Sequence, residues 1–199
     1  MRYNLSEIQM IRRCQCGDEA AFEAIYRQYA EVALRTAFLI THEPSVAEDA
    51  VQETFIQVWR GIRGLHDVRA FRAWFFRILI NRVRRLGKRD KQAPTAPIEM
   101  IADRPDANTL QPEEQMERKE RLRWVQTAIA QLPESQRQTL VLRYYSGLSE
   151  AETAVVLKIP VGTVKSRLYT SRTRLRDHLL RNRVQCGLSV FKQLPTQQE

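Results

Sequence analysis

From Ser149 to Arg176 the chain reads SEAETAVVLKIPVGTVKSRLYTSRTRLR. Ser149 and Glu152 have the spacing of a capping box, in which each side chain satisfies a free amide at a helix start. Ala151, Ala154 and Val155 are expected to face inward from this first, short helix. Pro160 ends it, because proline has no amide hydrogen and restrains the residue before it. Gly162 and Thr163 then launch a longer helix. Val164, Leu168, Leu175 and Leu179 recur on one side of it at near-helical spacing, leaving Lys165, Ser166, Tyr169, Thr170 and Thr173 outward. A capped helix, a tight turn and a basic helix form the layout of a helix-turn-helix, whose second helix enters the major groove by its N-terminal turns. This layout fixes an all-helical reader and leaves open which process it serves.

The rest of the chain also shows helical periodicity and no convincing alternating strand. Ser6 and Gln9 have capping-box spacing, so a first helix is expected to start there and end near Gly17. Asp18 is placed to cap a second, with Phe22, Ile25, Tyr26 and Tyr29 on one apolar face. Pro44 and Ser45 open a third, with Ala47, Ala50, Val51, Thr54, Phe55 and Val58 on its inner side. A fourth is expected from about Ala70 to Leu86, with Phe71, Trp74, Phe75, Ile78 and Leu79 mostly core. Pro94, Pro97, Pro105 and Pro112, half of the chain's eight prolines, then forbid a long helix. The stretch from Asp90 to Gln111 therefore reads as a linker. Helical pattern resumes at Glu113 and runs to Leu132; another helix follows Pro133 and is closed by Gly147 at the left-handed position. The expected architecture is all-α: two small helical domains, 1–89 and 113–181, joined by a flexible proline-containing linker (90–112), with a tail at 182–199.

Charge sharpens the reading. The formal net charge is +9, yet Arg60 to Lys91 holds eleven basic residues against two acidic, and Lys158 to Arg183 holds eight against one. The remainder of the chain is net acidic. Two basic footprints suit an anionic polymer gripped at two places. Cys14, Cys16 and Cys186 have no framework spacing, and three scattered histidines offer no metal set, so neither a disulfide scaffold nor a metal or other cofactor is expected. No run approaches the ~20 apolar residues of a membrane span, and MRYNLSEIQMIRR lacks the apolar core of a signal peptide. A cytoplasmic protein is expected. Phosphate loops and nucleophile motifs are absent, so an enzyme is not.

Three constellations carry chemistry. On the last helix, Lys165, Ser166, Tyr169 and Thr170 form a compact outward patch suited to base edges, and Arg167, Arg172, Arg174 and Arg176 suit phosphates. On the third helix, Asp49, Gln52, Glu53 and Ile56 fall at i, i+3, i+4 and i+7. An acidic face with one aliphatic residue is poor for DNA; it is either a solvated surface or a protein-docking one. Between Gly61 and Lys91, a glycine-flanked loop, an aromatic helix and a basic stretch suit single-stranded nucleic acid, whose bases stack or enter pockets. Two other readings stay open: an ordinary helix-turn-helix regulator, and a regulatory protein that chiefly binds another protein.

Three segments, AEDAVQETFIQVWR, AFRAWFFRILINRVRR and LPESQRQTLVLRYYSGLSEAETAVVLKIPVGTVKSRL, resemble the hallmarks of the extracytoplasmic-function group of bacterial RNA polymerase sigma factors. The resemblance spans about Asp18 to His178, with the motifs in family order. It implies a protein without catalytic residues that binds core RNA polymerase and promoter DNA and directs initiation at a specific set of genes. It implies that Asp49, Gln52, Glu53 and Ile56 dock on the clamp helices of the largest subunit, and that the flap is a further part of core polymerase that the protein contacts. It implies minus-ten contacts from the loop residues Arg63, Gly64, Leu65, His66 and Asp67, and from Trp74, Asn81, Arg84 and Arg85. It implies minus-thirty-five contacts from Thr163, Lys165, Ser166, Arg167, Tyr169, Thr170 and Arg172. An anti-sigma factor, able to hold the protein at a membrane, is a further implied partner. The chain departs from the family at Thr153, where a bulkier aliphatic is usual and a looser fit is expected, and at Thr170, where a basic residue is common.

Overall fold

The computed structural model describes residues 5–87 and 122–186, and side chains from Ser6 to Leu86 and from Leu122 to Arg181. The linker, the start of the helix expected from Glu113 and the tail beyond Cys186 lie outside the described residues. Every described element is helical. Helix α1 spans Leu5–Gln15, α2 Glu19–Thr41, α3 Pro44–Gly61 and α4 Phe71–Leu86, with short 3-10 turns at Ile62–Gly64 and Val68–Ala70 between α3 and α4. Helix α5 covers 122–130. Helix α6, Glu134–Leu140, runs into a π turn at Val141–Tyr145; α7 is Glu150–Leu157 and α8 is Val161–Cys186.

Local chemistry explains most boundaries. The Asp18 carboxylate accepts the Ala21 amide at 3.0 Å and caps α2. Pro44 occupies the first turn of α3, where its missing N–H is not needed. At α7 both halves of the capping box form: Glu152 N donates to Ser149 Oγ at 3.1 Å and Ser149 N to Glu152 Oε2 at 2.7 Å. Gly147, at φ 68°, makes the turn before it in a conformation that side chains resist. Ser6 lies inside α1, whose first described residue is Leu5, so it is not the cap its spacing suggests. Serine is tolerated in a first helical turn, and S-x-x-Q alone does not select the cap. Helix α8 continues to Cys186, five residues into the expected tail, because no breaker precedes Gly187.

Aromatic rings fill the centre of the first four helices. Phe75 lies 4.9 Å from Tyr29, 5.4 Å from Phe55 and 5.3 Å from Phe76 between ring centroids. Phe71, Phe75 and Leu79 are buried as the spacing predicts, while Trp74 and Ile78 are half-buried at the rim. Tyr26 is a partial miss: it is exposed, though its ring still touches Phe55. Helices α5 to α7 add Ile129, Leu132, Leu140, Leu142, Leu148, Val156 and Leu157 to the same continuous core. Helix α4 packs on α7, and α2 on the π turn.

Helix α7 corrects the sequence reading. Val155 is 56% exposed and Ala151 is exposed, whereas Thr153, Ala154, Val156 and Leu157 are buried. Beyond Glu150 and Glu152 every residue of α7 is apolar or small, so the spacing barely marks a face, and the neighbours α4 and α8 set its rotation. Thr153 fits tightly rather than loosely: it is fully buried and its hydroxyl donates to the Ser149 carbonyl at 2.8 Å.

Candidate nucleic-acid and polymerase interface

The second helix of the reader presents the expected patch. Its inner residues Val164, Leu168 and Ser171 are buried, with Ser171 Oγ donating to the Arg167 carbonyl at 2.6 Å. That rotation turns Lys165, Ser166, Tyr169 and Arg172 outward, with Tyr169 69% exposed and Thr163, Arg167 and Thr170 half-exposed. Ser166 and Thr170 donate their hydroxyls to carbonyls one turn back, at 3.1 and 3.0 Å, so each still offers an acceptor to a base. Arg174, assigned to phosphate by sequence, donates to Gln136 at 3.2 Å.

On α3 the small inner face is buried, which forces Asp49, Gln52 and Ile56 to the surface; Ile56 is 50% exposed. Glu53 is different. Its carboxylate accepts from Arg82 at 3.2 Å and from Arg85, so one expected docking residue is paired with one expected minus-ten residue. Arg84 is also engaged, donating to Gln138 Oε1 at 2.7 Å.

The loop between α3 and α4 exposes Arg63, Gly64, His66 and Asp67, with Leu65 half-buried beneath them. Asp67 shapes the loop itself: its carboxylate accepts the Arg69 amide at 2.9 Å and caps the second 3-10 turn. Trp74 stands at the loop entrance, where a side chain on Gly61 would meet its indole at 3.2 Å. Asn81 is exposed one face further along α4. A residue that sequence reasoning missed also touches this loop. Gln15, at the end of α1, donates to the carbonyls of Ile62 at 3.0 Å and Leu65 at 2.7 Å. No local spacing signals a contact across 47 and 50 residues.

The two basic modules meet directly. Thr36 on α2 and Ser146 after the π turn bring their hydroxyl oxygens to 2.9 Å, and Arg72 on α4 donates to the Ser146 carbonyl at 2.8 Å. Each hydroxyl also has a carbonyl acceptor on its own segment, Val32 at 2.6 Å from Thr36 and Val141 at 3.4 Å from Ser146, so either can donate across the contact. His42, in the left-handed position that ends α2, faces Arg137 of α6; burial and that charge push its pKa down to about 4. Among the described residues, His42 Nε2 and Arg137 Nε have no hydrogen-bond partner.

Residues 25–92 match the family described as Sigma-70 region 2, and residues 122–175 match Sigma-70, region 4. The chain belongs to the sigma-70 family. Among its relatives, this sigma factor is 33% identical over 171 residues to the RNA polymerase sigma-H factor of Pseudomonas aeruginosa, covering 82% of this chain and 89% of that one. It is 32% identical to the ECF RNA polymerase sigma factor SigM of Mycobacterium tuberculosis, over 87% and 85% of the two chains. It is 30% identical to the ECF RNA polymerase sigma-E factor of Haemophilus influenzae, over 90% and 98%. These relatives place it in the extracytoplasmic-function group, whose members direct promoter recognition and initiation. Its fold is similar to that of CnrH, solved with the cytosolic domain of CnrY (TM-score 0.67, 23% identity, 88% of this chain and 98% of that one). It is also similar to RpoE of Bartonella quintana, solved with the anti-sigma factor NepR (TM-score 0.58, 24% identity, 79% and 98%). Among the described residues no helix is long and apolar enough to cross a membrane, and no cluster could hold a metal ion.

Proposed function

We propose that this sigma factor grips its promoter at two points. The α8 patch reads the minus-thirty-five element, and the α3–α4 loop with Asn81, Arg84 and Arg85 takes an unpaired minus-ten base. The α3 face docks on the clamp helices of the largest polymerase subunit, with the reader near the flap. The observation that carries this reading is that each surface is open: Lys165, Ser166 and Tyr169 on α8, the loop tip, and Asp49, Gln52 and Ile56 on α3 are exposed, and Glu53 links the last two surfaces through Arg85. The protein acts in the cytoplasm and contributes no catalytic group of its own. An anti-sigma factor is a further partner, by extension from the CnrH and RpoE complexes. A groove of ≈ 950 Å³ beside α8, lined by Leu39, Val125, Ile129 and Leu140 together with Arg143, Glu150, Tyr169 and Arg172, supports a protein ligand that would share residues with the reader's patch.

A two-point grip requires the modules to part. The two elements lie about 25 base pairs apart, ~85 Å at ~3.4 Å per pair. Residues 88–121, at no more than ~3.3–3.6 Å each, can span that distance. The packed arrangement is thus a closed form, and the promoter takes an open one.

Run-off transcription with purified core polymerase tests the reading, on the promoters of transcripts that rise when the protein is overproduced. Asp49→Ala with Glu53→Ala is expected to weaken core binding and spare DNA binding by the reader. Lys165→Ala is expected to lower upstream-element selectivity by about 1–3 kcal/mol. An equal loss on every sequence would recast Lys165 as a phosphate contact. Unchanged core affinity in the α3 variant would refute the docking assignment.

A further inference from the structure

The Gln15 carboxamide meets two acceptors, the Ile62 carbonyl at 3.0 Å and the Leu65 carbonyl at 2.7 Å. Both partners are carbonyls, so only the amide nitrogen, with its two hydrogens, can face them. The Ile62 carbonyl also accepts the Leu65 amide at 3.1 Å, closing the first 3-10 turn. Gln15 therefore ties together the two ends of that turn. Between its two anchor points the chain presents Arg63 and Gly64 to solvent. Asp67 fixes the other half of the loop by its own cap.

The residue stands on a rigid base. Ile11 and Cys14 of α1 are 1% exposed, and Tyr29 of α2 donates its hydroxyl to Glu7. Arg13 pairs with Asp18 at 2.7 Å, the same carboxylate that caps α2. Gly17, at φ 89°, turns the chain between α1 and α2 where a side chain would approach the Arg63 guanidinium at 3.1 Å. Helix α1 is thus clamped to α2, packs against both 3-10 turns, and hydrogen-bonds the first of them through Gln15. It also precedes residues 25–92, the stretch that matches region 2, so the brace lies outside the matched family segment.

We propose that Gln15 is a positioning residue for promoter opening: its carboxamide holds the 62–65 backbone in the shape that presents Arg63 and Gly64 to the unpaired base. This rests on the reading of the loop as the minus-ten capture element. Glutamate at position 15 keeps the size of the side chain but turns two donors into acceptors aimed at two carbonyls. Alanine removes the tie. Lysine restores a donor on a longer stem.

The test is permanganate reactivity of unpaired thymines in holoenzyme assembled from core polymerase and full-length protein, on the promoter recovered as above. Core affinity and the unfolding midpoint are measured beside it. Gln15→Glu and Gln15→Ala are expected to lower open-complex formation about 25-fold, two neutral hydrogen bonds at about fivefold each. Core affinity is expected to be unchanged, and Gln15→Lys to recover opening to within about threefold of the original protein. Normal opening in the Glu and Ala variants, or a Lys variant no better than Ala, would overturn the proposal. Arg63→Ala and His66→Ala run in parallel. If these open the promoter poorly while the Gln15 variants are normal, only the Gln15 proposal fails. If they open it normally, the loop reading fails and the positioning role falls with it.

Discussion

Locking the closed form should silence this sigma factor reversibly. Thr36→Cys and Ser146→Cys place two thiols where hydroxyl oxygens now lie 2.9 Å apart, in a buried contact between the modules. Thiols brought that close are expected to reach the ~2.05 Å of a sulfur–sulfur bond. The background replaces Cys14 with Ala and Cys16 and Cys186 with Ser, so that one bond alone can form. Two linked binding modules gain about 10²–10⁴ in avidity when both engage. A locked protein cannot span elements ~85 Å apart and loses that factor. Run-off transcription should therefore fall about 100-fold or more after mild oxidation and return with reductant. Binding to a duplex carrying only the upstream element should persist, because Lys165, Ser166 and Tyr169 are exposed in the closed form. Equal transcription from oxidised and reduced protein would refute the argument that the modules must part. Failure of the cross-link to form would refute the closed form itself.

Two further outcomes follow from local chemistry. Ser149→Ala removes the acceptor of the Glu152 amide and should cost about 1 kcal/mol, read as a lower unfolding midpoint. His42 titrates at about 4, below its usual 6.5, through burial and then Arg137. Its folded pKa is depressed, so the unfolded or opened chain takes up the proton first. The contribution of His42 is present in full above pH 6.5 and is lost as pH falls toward 4. Midpoints measured from pH 8 to pH 4 should drop across that window in the original protein and drop less in His42→Gln.

Sequence alone determined what is encoded within a helical turn. Asp18 and Ser149 act on amides three residues on, and Gly147 through its own φ, so local sequence names their roles, although Ser6 with Gln9 shows that the spacing alone does not select a cap. The same holds for the outward patch on α8, because Val164 and Leu168 leave it one possible face. Tertiary structure decided what depends on distant partners. Helix α7 has too little contrast between its faces to set its own rotation, and packing buried Thr153 while exposing Val155. The π turn that carries Ser146 to Thr36, a residue 110 positions away, has no local signature. Gln15 reads as an ordinary surface residue until α1 lies against the 62–65 turn. Pairing energies between such residues exist only after the chain has closed on itself, and no repeat or spacing records them beforehand.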